Sequence, residues 1–160
     1  MKVATTRFGE FDIAEDQLFM LSSVLPGFPN TKRFFYIQRD NIKPFQWMQS
    51  VEEPDVTFVV VDPASFFMDY NPSIPKSDLA EIDLNNQELV ELMAIVVLPE
   101  DMTKMTANLK GPLIINREKR VLKQIFLETE RWSVRESILE GIRKKEQALI
   151  EQKVQQEAQK

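Results

Sequence analysis

Apolar residues between Met1 and Leu127 come in short runs of aromatic and β-branched side chains, separated by Pro, Gly, Asn and Asp. That punctuation belongs to an antiparallel sheet or barrel. The predicted strands are residues 2–6, 9–13, 34–38, 45–49, 57–61, 92–98, 105–109, 113–116 and 121–126. Several of them, among them Phe34-Phe35-Tyr36-Ile37 and the run from Leu92 to Leu98, are apolar on both faces, so they are expected to run through the interior. The turns have their own chemistry. Leu25-Pro26-Gly27-Phe28 sets Pro and then Gly where a type II turn needs a fixed φ followed by a positive one. Asp62-Pro63 ends the Val-rich run, because Pro cannot donate to a ladder. A loop with two prolines follows Tyr70, and 77–81 reads as one or two helical turns capped by Ser77.

After Leu127 the pattern changes. Ser133 followed by Glu136 fits a capping box, and Val134, Ile138 and Ile142 recur every four residues along one helical face. Beyond Gly141 the residues are mostly Lys, Glu and Gln. The expected organisation is a β-rich domain over 1–141 that ends in a packed helix. Residues 142–160 would form a polar extension, helical or frayed. The fold class is mainly β: a compact antiparallel β-barrel-like domain with short helical turns and a C-terminal helix.

Composition narrows the chemistry. The 160 residues contain no Cys and no His, so disulfides, thiolate nucleophiles and Cys-ligated metals are excluded, and the commonest general base is missing. The acidic clusters Glu52-Glu53-Pro54-Asp55, 78–83 and Glu100-Asp101 have no basic or hydroxyl partner at a telling spacing beside them and lack the form of a calcium loop. They read as loop charge, and the chain is expected not to be an enzyme and to hold no metal or cofactor. The formal net charge is −5; the five Lys/Arg and three Glu of 143–160 leave 15 basic and 22 acidic residues before them, a net of −7. An acidic body argues against direct nucleic-acid binding and is compatible with a basic partner. No apolar run is long enough for a membrane span, and the N-terminus has no apolar signal core, so the predicted compartment is the cytoplasm.

Two stretches stand out as candidate contact sites. Pro44-Phe45-Gln46-Trp47-Met48-Gln49-Ser50 places Phe45, Trp47 and Gln49 on one side of a strand. Trp and Met beside amides fit core packing and equally a recognition patch. Ala107-Asn108-Leu109-Lys110-Gly111-Pro112-Leu113-Ile114-Ile115-Asn116 reads as a strand bent at Lys110-Gly111-Pro112, with Asn108 and Asn116 satisfying backbone groups around the bend. A kinked edge of this kind can also leave backbone groups free for a peptide. The candidate contact residues are therefore Phe45, Trp47 and Gln49, then Asn108, Leu109, Lys110, Gly111 and Pro112. The acidic Glu52, Glu53 and Asp55 join them for a basic partner, and reversing their charge is expected to spare the fold.

In this order and spacing, these stretches resemble the flagellar assembly factor FliW family. So do Val24-Leu25-Pro26-Gly27-Phe28, Phe34-Phe35-Tyr36-Ile37, Thr57-Phe58-Val59-Val60-Val61-Asp62-Pro63, Asp69-Tyr70, Ala94-Ile95-Val96-Val97-Leu98-Pro99 and Gln124. Met48 stands where Leu is usual, Trp132 where Tyr is common, and the Gln-rich stretch after Ala148 goes beyond the family's shared part. The resemblance implies a non-enzymatic β-barrel-like protein that binds flagellin in the cytoplasm and binds the RNA-binding translational repressor CsrA. Bound to the repressor, it would relieve repression of flagellin mRNA without occupying the RNA site, until accumulated flagellin draws it away. The alternative is an export chaperone for flagellin with no role in translation.

Overall fold

Strands that are apolar on both faces need cover on both, and the tertiary structure supplies it. The computed structural model describes residues 1–158. The strands are β1 (Lys2–Thr5), β2 (Gly9–Asp12), β3 (Phe19–Leu21), β4 (Arg33–Ile37), β5 (Gln46–Ser50), β6 (Thr57–Val61), β7 (Glu91–Val97), β8 (Thr106–Ala107), β9 (Leu113–Asn116), β10 (Val121–Gln124) and β11 (Glu136–Ser137). The helices are α1 (Lys76–Glu81) and α2 (Ile138–Ala158). Every strand predicted from the pattern is present, most with ends moved by a residue or two. β3 and β11 are additional; they are too short for a periodic signal, and pairing with distant strands defines them.

The sheet runs β7-β6-β5-β4-β3-β10-β9, and β9 pairs back onto β7, which closes a seven-stranded barrel. Its pairs are antiparallel except β3 with β10, where Val121 lies beside Met20 and Leu122 beside Leu21. Closure depends on one edge of β7. Its start pairs with β9, Glu91 opposite Ile115, while its end pairs with β8, Val96 opposite Ala107. Five residues, 108–112, thus face only Ala94 and Ile95 across the ladder, and the excess is a bulge that turns β9 into the barrel wall. The bend expected at Lys110-Gly111-Pro112 is this bulge. The Pro26-Gly27 turn also forms as expected, with Gly27 at φ +84 and the Phe28 amide donating to the Leu25 carbonyl at 2.9 Å.

Inside the barrel lie Phe19, Phe34, Met48, Val60, Met93, Leu113, Ile115 and Leu122. Outward residues of the same strands are buried under three covers. The β1–β2 hairpin brings Val3 to Phe35 and Ile37. The segment after β6 and the start of α2 bring Phe67 and Ile138 to Val61, Ala94 and Val96. The region around α1 brings Ile74, Leu79 and Ile82 to Ile114 and Ile125. At roughly 1.5–3 kcal/mol for each large side chain buried, these outer layers matter as much as the barrel interior.

Two cap readings are corrected. α1 begins at Lys76 with Pro75 in the cap position, not at Ser77, because the Pro75 carbonyl receives the Asp78 and Leu79 amides. The Ser133–Glu136 pair does form, the Ser133 amide donating to Glu136 Oε1 at 2.8 Å. It closes a turn ahead of β11, however, and Val134 is exposed rather than on a helix. α2 starts after Ser137, whose Oγ accepts from the Glu140 amide at 3.2 Å. A second Ser-x-x-Glu spacing was therefore the true start signal. α2 stays against the body through Ile142, Lys145 and Ala148, and its residues from Leu149 to Ala158 are exposed. Residues 159–160 of the expected extension lie outside the described residues.

Candidate functional site

Phe45 and Trp47 meet in an apolar groove on the outside of the barrel. The groove, of ≈ 270 Å³, is lined by Phe45, Trp47 and Val59 from the β5–β6 wall, by Ile42 and Lys43 from the 3₁₀ turn Asp40–Ile42 and its end, and by Leu98, Met102 and Met105 beyond β7. Its floor is fixed. Trp47 is paired across the sheet with Ile37 and Val59, Phe8 packs against it edge-on with centroids 5.3 Å apart, and the Arg7 guanidinium sits 4.6 Å above its ring. Phe45 stacks on Phe66 at 5.5 Å. At its rim Leu98 is 43% and Met102 53% exposed. Met102 is presented by the 3₁₀ turn Met102–Lys104, capped by Asp101, which accepts from the Thr103 amide and hydroxyl. Those two donors hold the Asp101 carboxyl below its usual range. Leu98, Met102 and Met105 were not among the residues singled out from sequence; the available signal was a strand ending in Leu-Pro followed by two methionines three positions apart.

Gln49, on the same face of β5 as Phe45 and Trp47, is fully buried and lies away from the groove. Its Nε2 donates to the carbonyls of Ser50 and Pro54, fixing the loop between β5 and β6. Glu52 and Glu53 serve the same loop. Glu52 accepts from the Lys32 and Arg33 amides at 2.7 and 2.8 Å and from Arg33 Nε at 2.7 Å. Partial burial opposes its ionisation, yet those amides and the Arg33 charge outweigh burial and hold its carboxyl below the usual range. Glu53 accepts from the buried Thr31 hydroxyl, and Asp55 from Thr6 of the hairpin. Of the three, Asp55 is exposed. The expectation that charge reversal here spares the fold does not hold for Glu52 and Glu53, because both carboxylates hold the loop in place.

The second stretch forms a separate hub. Leu109, Gly111 and Pro112 are buried, while Asn108 and Lys110 are half-buried. Its backbone amides are all engaged. The Asn108 amide donates to Ile95, and those of Leu109 and Lys110 to Ser133. The Gly111 amide donates to Asn108 Oδ1 at 2.7 Å, and the Gly111 carbonyl accepts from Gln124 Nε2 at 2.9 Å. The Tyr70 hydroxyl, its pKa raised by burial, donates to the Leu109 carbonyl at 2.8 Å. A Cβ on Gly111 would stand 3.0 Å from Asn108 Nδ2 and 3.1 Å from both Gln124 Nε2 and Phe126 Cε1; only Gly fits without displacement. The amides thus close the bulge internally instead of leaving an edge open. Asn116 differs from the expectation that it serves the bend: its Nδ2 donates to the Ile82 and Asp83 carbonyls beside α1.

The structure thus brings Phe45 and Trp47 into one accessible site, gathers Asn108, Leu109, Lys110, Gly111 and Pro112 into a second cluster, and uses Gln49, Glu52 and Glu53 to brace a loop. Among the described residues no cluster of His, Cys, Asp or Glu could hold a metal ion, and no helix is long and apolar enough to cross a membrane.

Comparison with known proteins agrees with the motif pattern. A family model described as FliW protein matches residues 2–138. The flagellar assembly factor FliW of Ruminiclostridium cellulolyticum is 36% identical over 147 residues, covering 91% of this chain and 99% of its own length. That of Natranaerobius thermophilus is 41% identical over 128 residues, covering 79% and 85%. A crystal structure of the flagellar assembly factor FliW matches this fold with a TM-score of 0.80 at 29% identity, over 86% of this chain and 96% of that one.

Proposed function

The chain belongs to the FliW family of flagellar assembly factors, and from that premise we propose that it is a cytoplasmic binding protein that alternates between flagellin and a CsrA-type translational repressor. It performs no catalysis and binds no cofactor. The observation that carries the reading is the groove of Phe45, Trp47, Leu98, Met102 and Met105, with Leu98 and Met102 exposed at its rim. A preformed aromatic floor flanked by flexible methionines suits an apolar segment of flagellin, which gains from leaving water without reordering the receptor.

The repressor is addressed by charge. Residues 1–142 carry a net −7, and an acidic body docked beside a basic RNA-binding surface repels phosphate without covering the RNA site. Among the residues named for this contact, Asp55 is the exposed one. Flagellin in the groove and repressor on the acidic surface would be exclusive states, so that the flagellin level sets how much repressor is free.

The test is competition between purified flagellin and repressor for this protein, with Leu98→Asp and Met102→Lys variants. Both side chains are exposed, so folding is expected to persist while flagellin capture weakens by about 2 kcal/mol or more, as for an anchor residue. Unchanged capture removes the groove from the reading. Relief of repressor binding to flagellin leader RNA should fade with added salt; relief that survives several hundred millimolar salt rules out phosphate repulsion. If no relief occurs at any salt while flagellin still binds, the protein is an export chaperone for flagellin.

A further inference from the structure

The family model ends at residue 138, where α2 begins. Past Ala148 the helix leaves the body, yet it stays helical to Ala158 with Ile150 57% and Val154 60% exposed. An isolated helix of that length is marginal in water. One face shows a regular pattern. Arg143, Gln147, Ile150, Val154 and Glu157 follow each other at spacings of four, three, four and three residues, the interval that aligns side chains along a coiled-coil seam. At about 100° per residue this seam points away from Ile138 and Gly141, which face the body. Beside it lies an open groove of ≈ 480 Å³ lined by Met68, Arg143, Lys144, Gln147, Ala148 and Glu151, with Met68 56% exposed.

We propose that this face pairs with the same face of a second copy, antiparallel about a two-fold axis at Ile150. That alignment sets Ile150 against its twin and Glu157 level with Arg143 of the second copy, with Val154 level with Glu146 and one residue from Gln147 of that copy. Val154 of each chain then enters the other's groove beside Met68. Charge selects this arrangement. The first half of α2 carries Arg143, Lys144 and Lys145 against Glu140 and Glu146, and the second half Glu151 and Glu157 against Lys153. Antiparallel pairing brings the basic half to the acidic one, whereas parallel pairing would oppose Arg143 to Arg143 and Glu157 to Glu157. The same operation closes the contact, so it stops at two chains. With Ile150, Val154 and Met68 as its apolar centre, the interface is small, at or below about 1,000 Å², and the dimer is of the reversible class.

Sedimentation of the full chain over a wide concentration range tests this. The expected mass rises from one chain to two and no further. Ile150→Glu, which sets like charges face to face on the axis, should hold the protein at one chain. Arg143→Glu and Glu157→Arg each disturb two symmetric contacts and should weaken association about 2- to 30-fold, and the double variant should restore it. Circular dichroism checks that α2 persists in each. A single chain at all concentrations, a larger assembly, an Ile150→Glu variant that still pairs, or a charge swap that fails to rescue would each overturn the proposal.

Discussion

At the residue scale, several side chains with the look of contact groups prove to be braces. Glu52 is the clearest. Glu52→Lys removes the acceptor of two amides and of Arg33 Nε and is expected to cost about 2–3 kcal/mol in denaturant unfolding; Glu52→Gln, which keeps an oxygen acceptor, should cost about 1. Because the folded carboxyl titrates below the ordinary glutamate range, its contribution is present above the unfolded pKa of about 4.3 and is lost as pH falls through the lower folded value. The stability gap between wild type and Glu52→Gln should therefore narrow in acid; a gap constant down to pH 3, roughly a unit below that unfolded value, would show that ionisation is not what Glu52 contributes. Gly111→Ala drives a methyl against the two amides that close the bulge and should cost about 1–3 kcal/mol. The composition of these positions was legible, but whether a Gln or a Glu faces a partner or a carbonyl was not, because the groups that meet Glu52 come from Lys32 and Arg33, across the sheet.

At the element scale, the local pattern located the strands, while end groups and distant charges decided the helices. α1 is held by Lys123 of β10, which bonds Asp78 and Glu81 at 2.7 Å each, and the next turn by Lys119 on Asp83. The cluster that read as loop charge is thus paired with lysines far along the chain. Burial works against the Lys123 charge, but the two carboxylates prevail and raise its pKa. α2 is seated through Gly141, where a Cβ would stand 2.8 Å from Phe67 Cε1 and 2.9 Å from the Phe66 carbonyl oxygen. Gly141→Ala sets a helix-propensity gain of about 1 kcal/mol against overpacking of about 1–3. A backbone oxygen cannot swing aside, so the clash should prevail. A lowered unfolding midpoint together with faster amide exchange over α2 is the expected signature, and a raised midpoint would mean that the helix can shift.

At the scale of the whole molecule, closure makes the barrel and leaves α2 outside it. Since the residues from Leu149 to Ala158 are exposed, ending the chain at Ala148 should change the stability of the dilute protein by no more than about 0.5 kcal/mol. A larger loss, measured where the protein is a single chain, would show that the extension packs on its own body. The groove also belongs to this scale. Ile42 and Phe45 come from one stretch and Leu98 and Met102 from another far along the chain, and it exists only because the turns before β5 and after β7 are brought side by side.

The order of motifs, the two-faced apolar runs and the absence of Cys and His sufficed to establish the β-rich class, the family pattern and the expectation of binding without catalysis. These are properties of residue type and spacing, which survive in one dimension. Tertiary structure alone decided that β7 is shared between β8 and β9, that Glu52 braces a loop through Lys32 and Arg33, and that Phe45 and Trp47 open onto Leu98 and Met102. Each depends on groups far apart in the chain, and burial, unlike periodicity, is set by what the rest of the molecule places on top.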